Sequence, residues 1–298
     1  MVRAVVAGGG AVKSPQGTLP MSLANHEQEE FWTNNAGPTW VAYEGPLDAF
    51  LAPVLDGVIA RAGLQTGQSV LDIGCGTGGS AVQAGHAVGP DGTVLAVDIS
   101  ATMVARARER TAPMPWTNVA LSDAADSPFE AAHFDHVISR FGVMFFADTQ
   151  AAFENICRAM KPGATLSLAT WGQIPANPWF TLPAQIAKAE LGAPPKSDSD
   201  APGPFALRDL AKTCAMLDRA GFTDIDGAAQ NMQLTLPGGA AEIAALSMHV
   251  GPAAGTIKHF DADLPAQARI QATMTDAFAQ FDGHTIPAEI NFFTARKS

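Results

Sequence analysis

From about residue 69 onward, apolar and polar positions alternate between two periods. Short apolar runs of strand length fall at 69–73, 94–98, 118–121, 134–139 and 164–171. Stretches with helical spacing fall near 79–87, 101–111, 149–160 and 206–220. Strand and helix in regular alternation predict a parallel α/β sheet. A further strand-like stretch covers 222–236 and a final strand 289–295, with helices expected at 240–250 and 265–281. Ahead of the first strand, 25–62 is helical in pattern, punctuated at Gly37-Pro38 and Gly45-Pro46. Residues 173–204 are rich in Pro, Asp and Ser and read as an irregular insertion. No internal repeat is present.

This pattern divides the chain into a disordered extension (1–20), an N-terminal helical cap (21–68) and a nucleotide-binding core (69–171). A lid insertion (172–205) follows, then a helix and sixth strand of the core (206–236), a helical cap insertion (237–283) and the last strand (284–298). The extension contains AVVAGGG, but Lys13, Ser14 and Pro15 follow it and no helical pattern appears. Its apolar stretch is too short and glycine-broken for a signal peptide.

The chemistry concentrates at VLDIGCGTGG, residues 70–79, where an apolar strand runs through Asp72 into a turn holding Gly74, Gly76, Gly78 and Gly79. Without a Cβ, glycine takes positive φ and lets a ligand approach the main chain. The helix that follows offers free amide groups at its start. The same letters satisfy a dinucleotide fingerprint through Gly74, Gly76 and Gly79, so an NAD-dependent oxidoreductase is one reading. Asp72 counts against it, because a carboxylate there would meet pyrophosphate. So does the absence of a Tyr-x-x-x-Lys pair: Tyr43, the only tyrosine, is followed by Pro46 and Leu47. Asp98, ending the second strand, is placed to grip ribose hydroxyls and serves either cofactor.

The turn resembles that of the class I S-adenosylmethionine (SAM) methyltransferases, with the form hydrophobic-hydrophobic-Asp-x-Gly-x-Gly-x-Gly. Two later segments carry the resemblance further. FDHVISRFGVMFFAD (134–148) and RAMKPGATLSLATW (158–171) look like the fourth motif and the fifth-strand segment of a small-molecule branch related to ubiquinone and menaquinone C-methyltransferases and polyketide-type methyltransferases. The resemblance implies a Rossmann-like seven-stranded mixed α/β sheet flanked by helices, its last strand antiparallel. The N-terminal helices and two insertions would then form a helical cap over the carboxyl ends of the strands. It also implies SAM as cofactor, S-adenosylhomocysteine as product and a small-molecule acceptor. Asp72, Gly74, Cys75, Gly76, Asp98 and Ile99 would hold the cofactor's middle and tail. Met103 would pack on adenine, Asp123 accept from the adenine amino group, and Ala124 leave the ring room to lie flat. Arg140 would pair with a carboxylate, the cofactor's own or that of Asp72. A SAM-binding protein that transfers no methyl is the remaining alternative.

Trp32, Trp40, Tyr43, Phe141, Trp171 and Trp179 fall in or beside the cap segments and read as an aromatic substrate pocket, although tryptophan also fills cores. His249 lies on a cap helix and is the candidate base, with Arg140 the second candidate for a catalytic role. His133 and His136 flank the fourth strand and read as structural, and Asp126 as a turn residue. No His/Cys/carboxylate cluster shows ligand spacing, so no metal is expected.

Composition narrows the partners. The 298 residues carry 18 basic and 29 acidic side chains, a net charge of −11, which disfavours nucleic acid and anionic membrane surfaces. No apolar run approaches the ~20 residues of a membrane span. Cys75, Cys157 and Cys214 are scattered and odd in number, pointing to a reducing, cytoplasmic setting without a disulfide framework.

Overall fold

A computed structural model describes residues 25–195, 198, 200–235, 238–281 and 285–298. The expected extension at 1–20 lies outside them. Helical segments lead the chain: α1 (His26–Glu30), a π-helical stretch over Phe31–Ala36, α2 (Gly37–Ala42) and α3 (Glu44–Ala62). There follow β1 (Ser69–Ile73), α4 (Gly79–Val88), β2 (Thr93–Asp98), α5 (Ala101–Thr111), β3 (Thr117–Leu121), β4 (Phe134–Arg140), α6 (Thr149–Ala159) and β5 (Met160–Trp171). Then come α7 (Pro178–Leu191), α8 (Leu210–Arg219), β6 (Phe222–Thr235), α9 (Ala240–Ser247), α10 (Pro252–His259), α11 (Leu264–Phe278) and β7 (Thr285–Lys297).

The seven strands form one sheet in the order β3-β2-β1-β4-β5-β7-β6. β1 to β5 pair in parallel, and β7 enters antiparallel between β5 and β6. Strand order reverses between β1 and β4, the position where an open α/β sheet leaves a crevice at its carboxyl edge. Register puts the ends together: Ile73 pairs with Val97, and Asp72 with both Ala96 and Ile138. Val70, Leu71 and Ile73 are buried on both faces, as a central parallel strand requires. Several helices start where sequence supplies a cap: the side chains of Ser100, Asp148, Asp209 and Asp263 accept from backbone amides in the first turns of α5, α6, α8 and α11.

Some elements differ from the sequence expectation. Residues 173–204 are not irregular throughout, since α7 occupies the middle. Pro178 stands at its first turn, where a missing N–H costs nothing, and Pro183 is tolerated inside because Trp179, Phe180, Pro183 and Ala187 form one buried stripe. The late insertion holds three helices rather than two, because Gly251 (φ 94°) and Pro252 break the pattern and start α10. β5 begins at Met160, before the Pro162-Gly163 bulge, and β7 extends beyond 289–295 to pair with β6 along its length.

Candidate functional site

The carboxyl ends of β1, β2 and β4 open into a cavity of about 1020 Å³ that continues beneath α2, α7 and α10. One half is built from the glycine turn. Gly74, Gly76 and Gly78 take φ of 66°, 55° and 94°. At Gly74 the reason is backbone pressed on backbone, since a Cβ there would lie 2.5 Å from the Cα of Gly142. At Gly76 a Cβ would meet nothing closer than Met103 Sδ at 3.8 Å, so the main chain is left bare toward the cavity. Ser139 ties the two strand ends together, donating from its hydroxyl to the carbonyl of Ile73 at 2.7 Å.

Asp98 is fixed before any ligand arrives. Its Oδ2 accepts from the Gly76 amide at 2.8 Å and its Oδ1 from the Ser100 amide at 2.9 Å. Burial nonetheless raises its carboxyl above the usual range, working against those bonds. Asp123 divides its two oxygens. Oδ1 accepts from Ala125 N at 2.9 Å, as in an ordinary Asp turn, while Oδ2 is buried without a hydrogen-bond partner. Ile99, Met103 and Ala124 line the cavity between these two acids. Cys75 lines it too, but burial pushes its thiol well up and leaves it an inert small side chain.

Asp72 does not sit on the cavity wall, contrary to expectation. It is fully buried behind the turn, with Oδ2 accepting from Ser80 Oγ at 2.6 Å and Oδ1 unpartnered. Burial pushes its carboxyl up to about 7, against the Ser80 bond and the Arg140 charge. Arg140 lines the cavity, and its Nη1 is buried without a partner while Nη2 stands 3.7 Å from Asp48. Desolvation lowers its pKa against the pull of Asp48 and Asp72.

Asp48 and Glu44, which sequence reasoning missed, come from α3 and also line the cavity. Arg110 Nη2 lies 2.8 Å from Asp48, and Arg106 bonds both carboxylate oxygens of Glu44, at 3.0 and 2.9 Å. Helix α3 is thereby pinned to α5 beside the glycine turn. The signal available in sequence was only an i, i+4 pair of acids on a helix, and such a pair is ordinarily a solvated face.

The other half of the cavity is aromatic. Phe141 holds φ 70°, a strained value for a bulky residue, and its ring stacks on Trp171 with centroids 4.6 Å apart and planes 2° from parallel. Trp171 also meets Trp179 and Phe180. Trp32 and Trp40 form a second group with Phe145 on the cap side. Tyr43, expected on the pocket wall, is displaced from it. Its ring stacks at 5.1 Å on His249, and His249 is the member of the pair that lines the cavity. His133 and His136 stay away from the cavity, His136 being engaged with Thr165. Among the described residues, no group of three or more His, Cys, Asp or Glu side chains could hold a metal ion, and no helix is long and apolar enough to cross a membrane.

Comparison with known proteins agrees with this geometry. Residues 70–163 match the family described as "Methyltransferase domain". Demethylmenaquinone methyltransferase from Staphylococcus aureus is 36% identical over 106 residues, which are 36% of this chain and 44% of the relative; the chain thus matches less than half of that protein's length. Among solved structures, a Haemonchus contortus phosphoethanolamine N-methyltransferase 2, in complex with phosphomonomethylethanolamine and S-adenosylhomocysteine, superposes with a TM-score of 0.58. It is 23% identical, over 93% of this chain and 60% of that one. The [4+2]-cyclase SpnF superposes at 0.50, with 19% identity over 82% and 80% of the two chains. Residues 70–163 thus carry a methyltransferase domain, and the whole sheet has the fold of the solved methyltransferase structure. Over 106 residues the chain resembles the demethylmenaquinone methyltransferases.

Proposed function

We propose that the protein transfers the methyl group of SAM to a small aromatic acceptor of quinone-like or polyketide-like character. The observation that carries this reading is the continuity of one cavity, with a nucleotide-type half at the glycine turn and an aromatic half under the cap.

The residues present fit the cofactor. Asp98, already held by two amides, would accept from ribose hydroxyls with its remaining lone pairs. The unpartnered Oδ2 of Asp123 would take the adenine amino group, with Met103 and Ala124 against the ring. At the other end, the unpartnered Arg140 Nη1 and the Asp48 carboxylate match a carboxylate and an ammonium side by side. Asp72 would act from behind by holding Ser80 and biasing Arg140. When bound, SAM supplies an activated methyl on a sulfonium that leaves as a neutral thioether.

The protein's part in that displacement is to align the acceptor and keep the site dry. Phe141, Trp171 and Trp179 form the apolar surface for a flat acceptor. His249, its ring oriented by Tyr43, stands on the wall as the group available to take a phenolic or enolic proton.

The test is calorimetric titration of the purified chain with S-adenosylhomocysteine and with NADH, followed by S-adenosylhomocysteine formation from SAM across phenols, quinones and small acids. Micromolar binding of S-adenosylhomocysteine alone, with turnover on an aromatic acceptor, is the expected result. Binding of NADH alone would transfer the glycine turn to an oxidoreductase. Tight S-adenosylhomocysteine binding without turnover on any acceptor would favour a SAM-binding protein of another activity.

A further inference from the structure

The cavity's charges are segregated. Its lining carboxylates are Glu44, Asp48, Asp98 and Asp123, and every one belongs to the half at the glycine turn. The half formed by β5's end, α7 and the α9–α10 region contains no lining carboxylate among the described residues, in a chain whose acidic side chains outnumber the basic by 29 to 18. Its ionisable groups are His249 and Lys258. Lys258 sits on the face of α10 that also lines the cavity through Ala254 and Gly255, small residues that leave room in front of it. Its ammonium has a neutral partner, the side-chain oxygen of Asn35 at 3.2 Å across the cavity mouth, and no ion pair among the described residues.

We infer that the acceptor carries an anionic group, a carboxylate on or near its aromatic ring, and that Lys258 is the residue that anchors it. This inference rests on the proposed methyl-transfer reading and specifies its substrate class. An ammonium whose neighbour is an amide carbonyl has its charge free to engage an anion, and an unopposed cation at an exposed cavity mouth draws anions in. A negatively charged chain gains this by excluding carboxylates locally. The flat part of the acceptor then lies along Trp171 and Trp179, so the anchored group fixes which ring position faces the methyl. Asn35 belongs to the π-helical stretch of the N-terminal cap, so anion binding at Lys258 also engages both sides of the mouth.

The experiment uses the full chain saturated with S-adenosylhomocysteine and compares 1-hydroxy-2-naphthoate with 1-naphthol by calorimetry, since these probes share a ring system and differ in the carboxylate. The acid should bind up to about fivefold tighter, as one exposed ion pair supplies. Lys258→Gln should remove that advantage while leaving 1-naphthol and S-adenosylhomocysteine affinities unchanged, and Lys258→Arg should retain most of it. Raising the salt to about 0.5 M should shrink the difference, because the anchor is at the mouth. Equal binding of the two probes, no binding of either, or a Lys258→Gln variant that keeps the preference would overturn the inference. Failure of S-adenosylhomocysteine itself to bind would instead strike the methyltransferase reading, so the two failures are told apart at the first titration.

Discussion

The amide of Gly76 donates to Oδ2 of Asp98 at 2.8 Å, so the glycine turn after β1 and the acid at the end of β2 are one unit. Replacing Asp98 by Ala should therefore have two effects. S-adenosylhomocysteine affinity should fall by about 2 kcal/mol, the loss of charged hydrogen bonds to ribose. The melting temperature should fall as well, because two backbone amides lose their acceptor. Asp98→Asn keeps a carbonyl oxygen for Gly76 and should melt nearer the wild type. Unchanged affinity in the Ala variant would remove the ribose assignment.

Asp48 offers a second test, confined to one end of the ligand. Asp48→Asn should weaken S-adenosylhomocysteine by roughly tenfold, the worth of one charge-assisted hydrogen bond to the ammonium. Binding of 5′-methylthioadenosine, which lacks the amino-acid tail, should stay the same. Equal weakening of both ligands would mean that Asp48 acts only by pinning α3 to Arg110.

Asp72 predicts a pH dependence. Its folded-state pKa is raised to about 7 from 3.8, so the native protein holds a proton there that the unfolded chain releases. Between those values the unfolded state binds fewer protons, and the contribution of this residue to stability falls as pH rises through about 4 to 7. Asp72→Asn removes the ionisation while keeping an oxygen for Ser80. The variant should gain up to about 4 kcal/mol over wild type at pH 8 and little at pH 4, read from urea unfolding midpoints. A constant difference across that range would contradict the burial argument.

Two glycines give opposite expectations. A Cβ on Gly142 would lie 2.5 Å from the carbonyl oxygen of Ile73, with backbone on both sides, so Gly142→Ala should destabilise by about 2 kcal/mol or more. At Gly45, in the first turn of α3, a Cβ would have nothing within 4 Å of it. Gly45→Ala should add about 0.5 kcal/mol through helix propensity. Thermal melts of the two variants should shift in opposite directions, the first reporting on the close approach of the chain after β4 to the end of β1.

The nucleotide-type half of the site was legible because its signals are local. Asp98, Asp123 and Arg140 each stand at or just beyond the end of a short apolar run of strand length, and a parallel sheet brings such ends to one edge. Asp48 was not legible, since it reaches the site from α3, and an acid on a helix carries no mark of what it faces. The stacking of Tyr43 on His249 joins residues far apart in sequence and depends on how the cap folds back. The helix α7 was hidden by its prolines, although its buried stripe of Trp179, Phe180, Pro183 and Ala187 keeps a helical period. Placement at the carboxyl edge was thus readable along the sheet, while the contacts of the N-terminal and late helices required tertiary packing.

The clasp between the N-terminal segment and α5 decides what walls the cavity beside Asp98. Ser100 Oγ donates to the carbonyl of Trp32 at 2.8 Å, Thr102 Oγ1 donates to that of Thr33 at 2.8 Å, and Gly37 lacks the Cβ that would strike Trp32's carbonyl oxygen. These bonds hold the N-terminal helices against the strand edge that carries Asp98, so this side of the cavity is walled by hydrogen-bonded backbone, while the far side is bounded by side chains of α7 and α10.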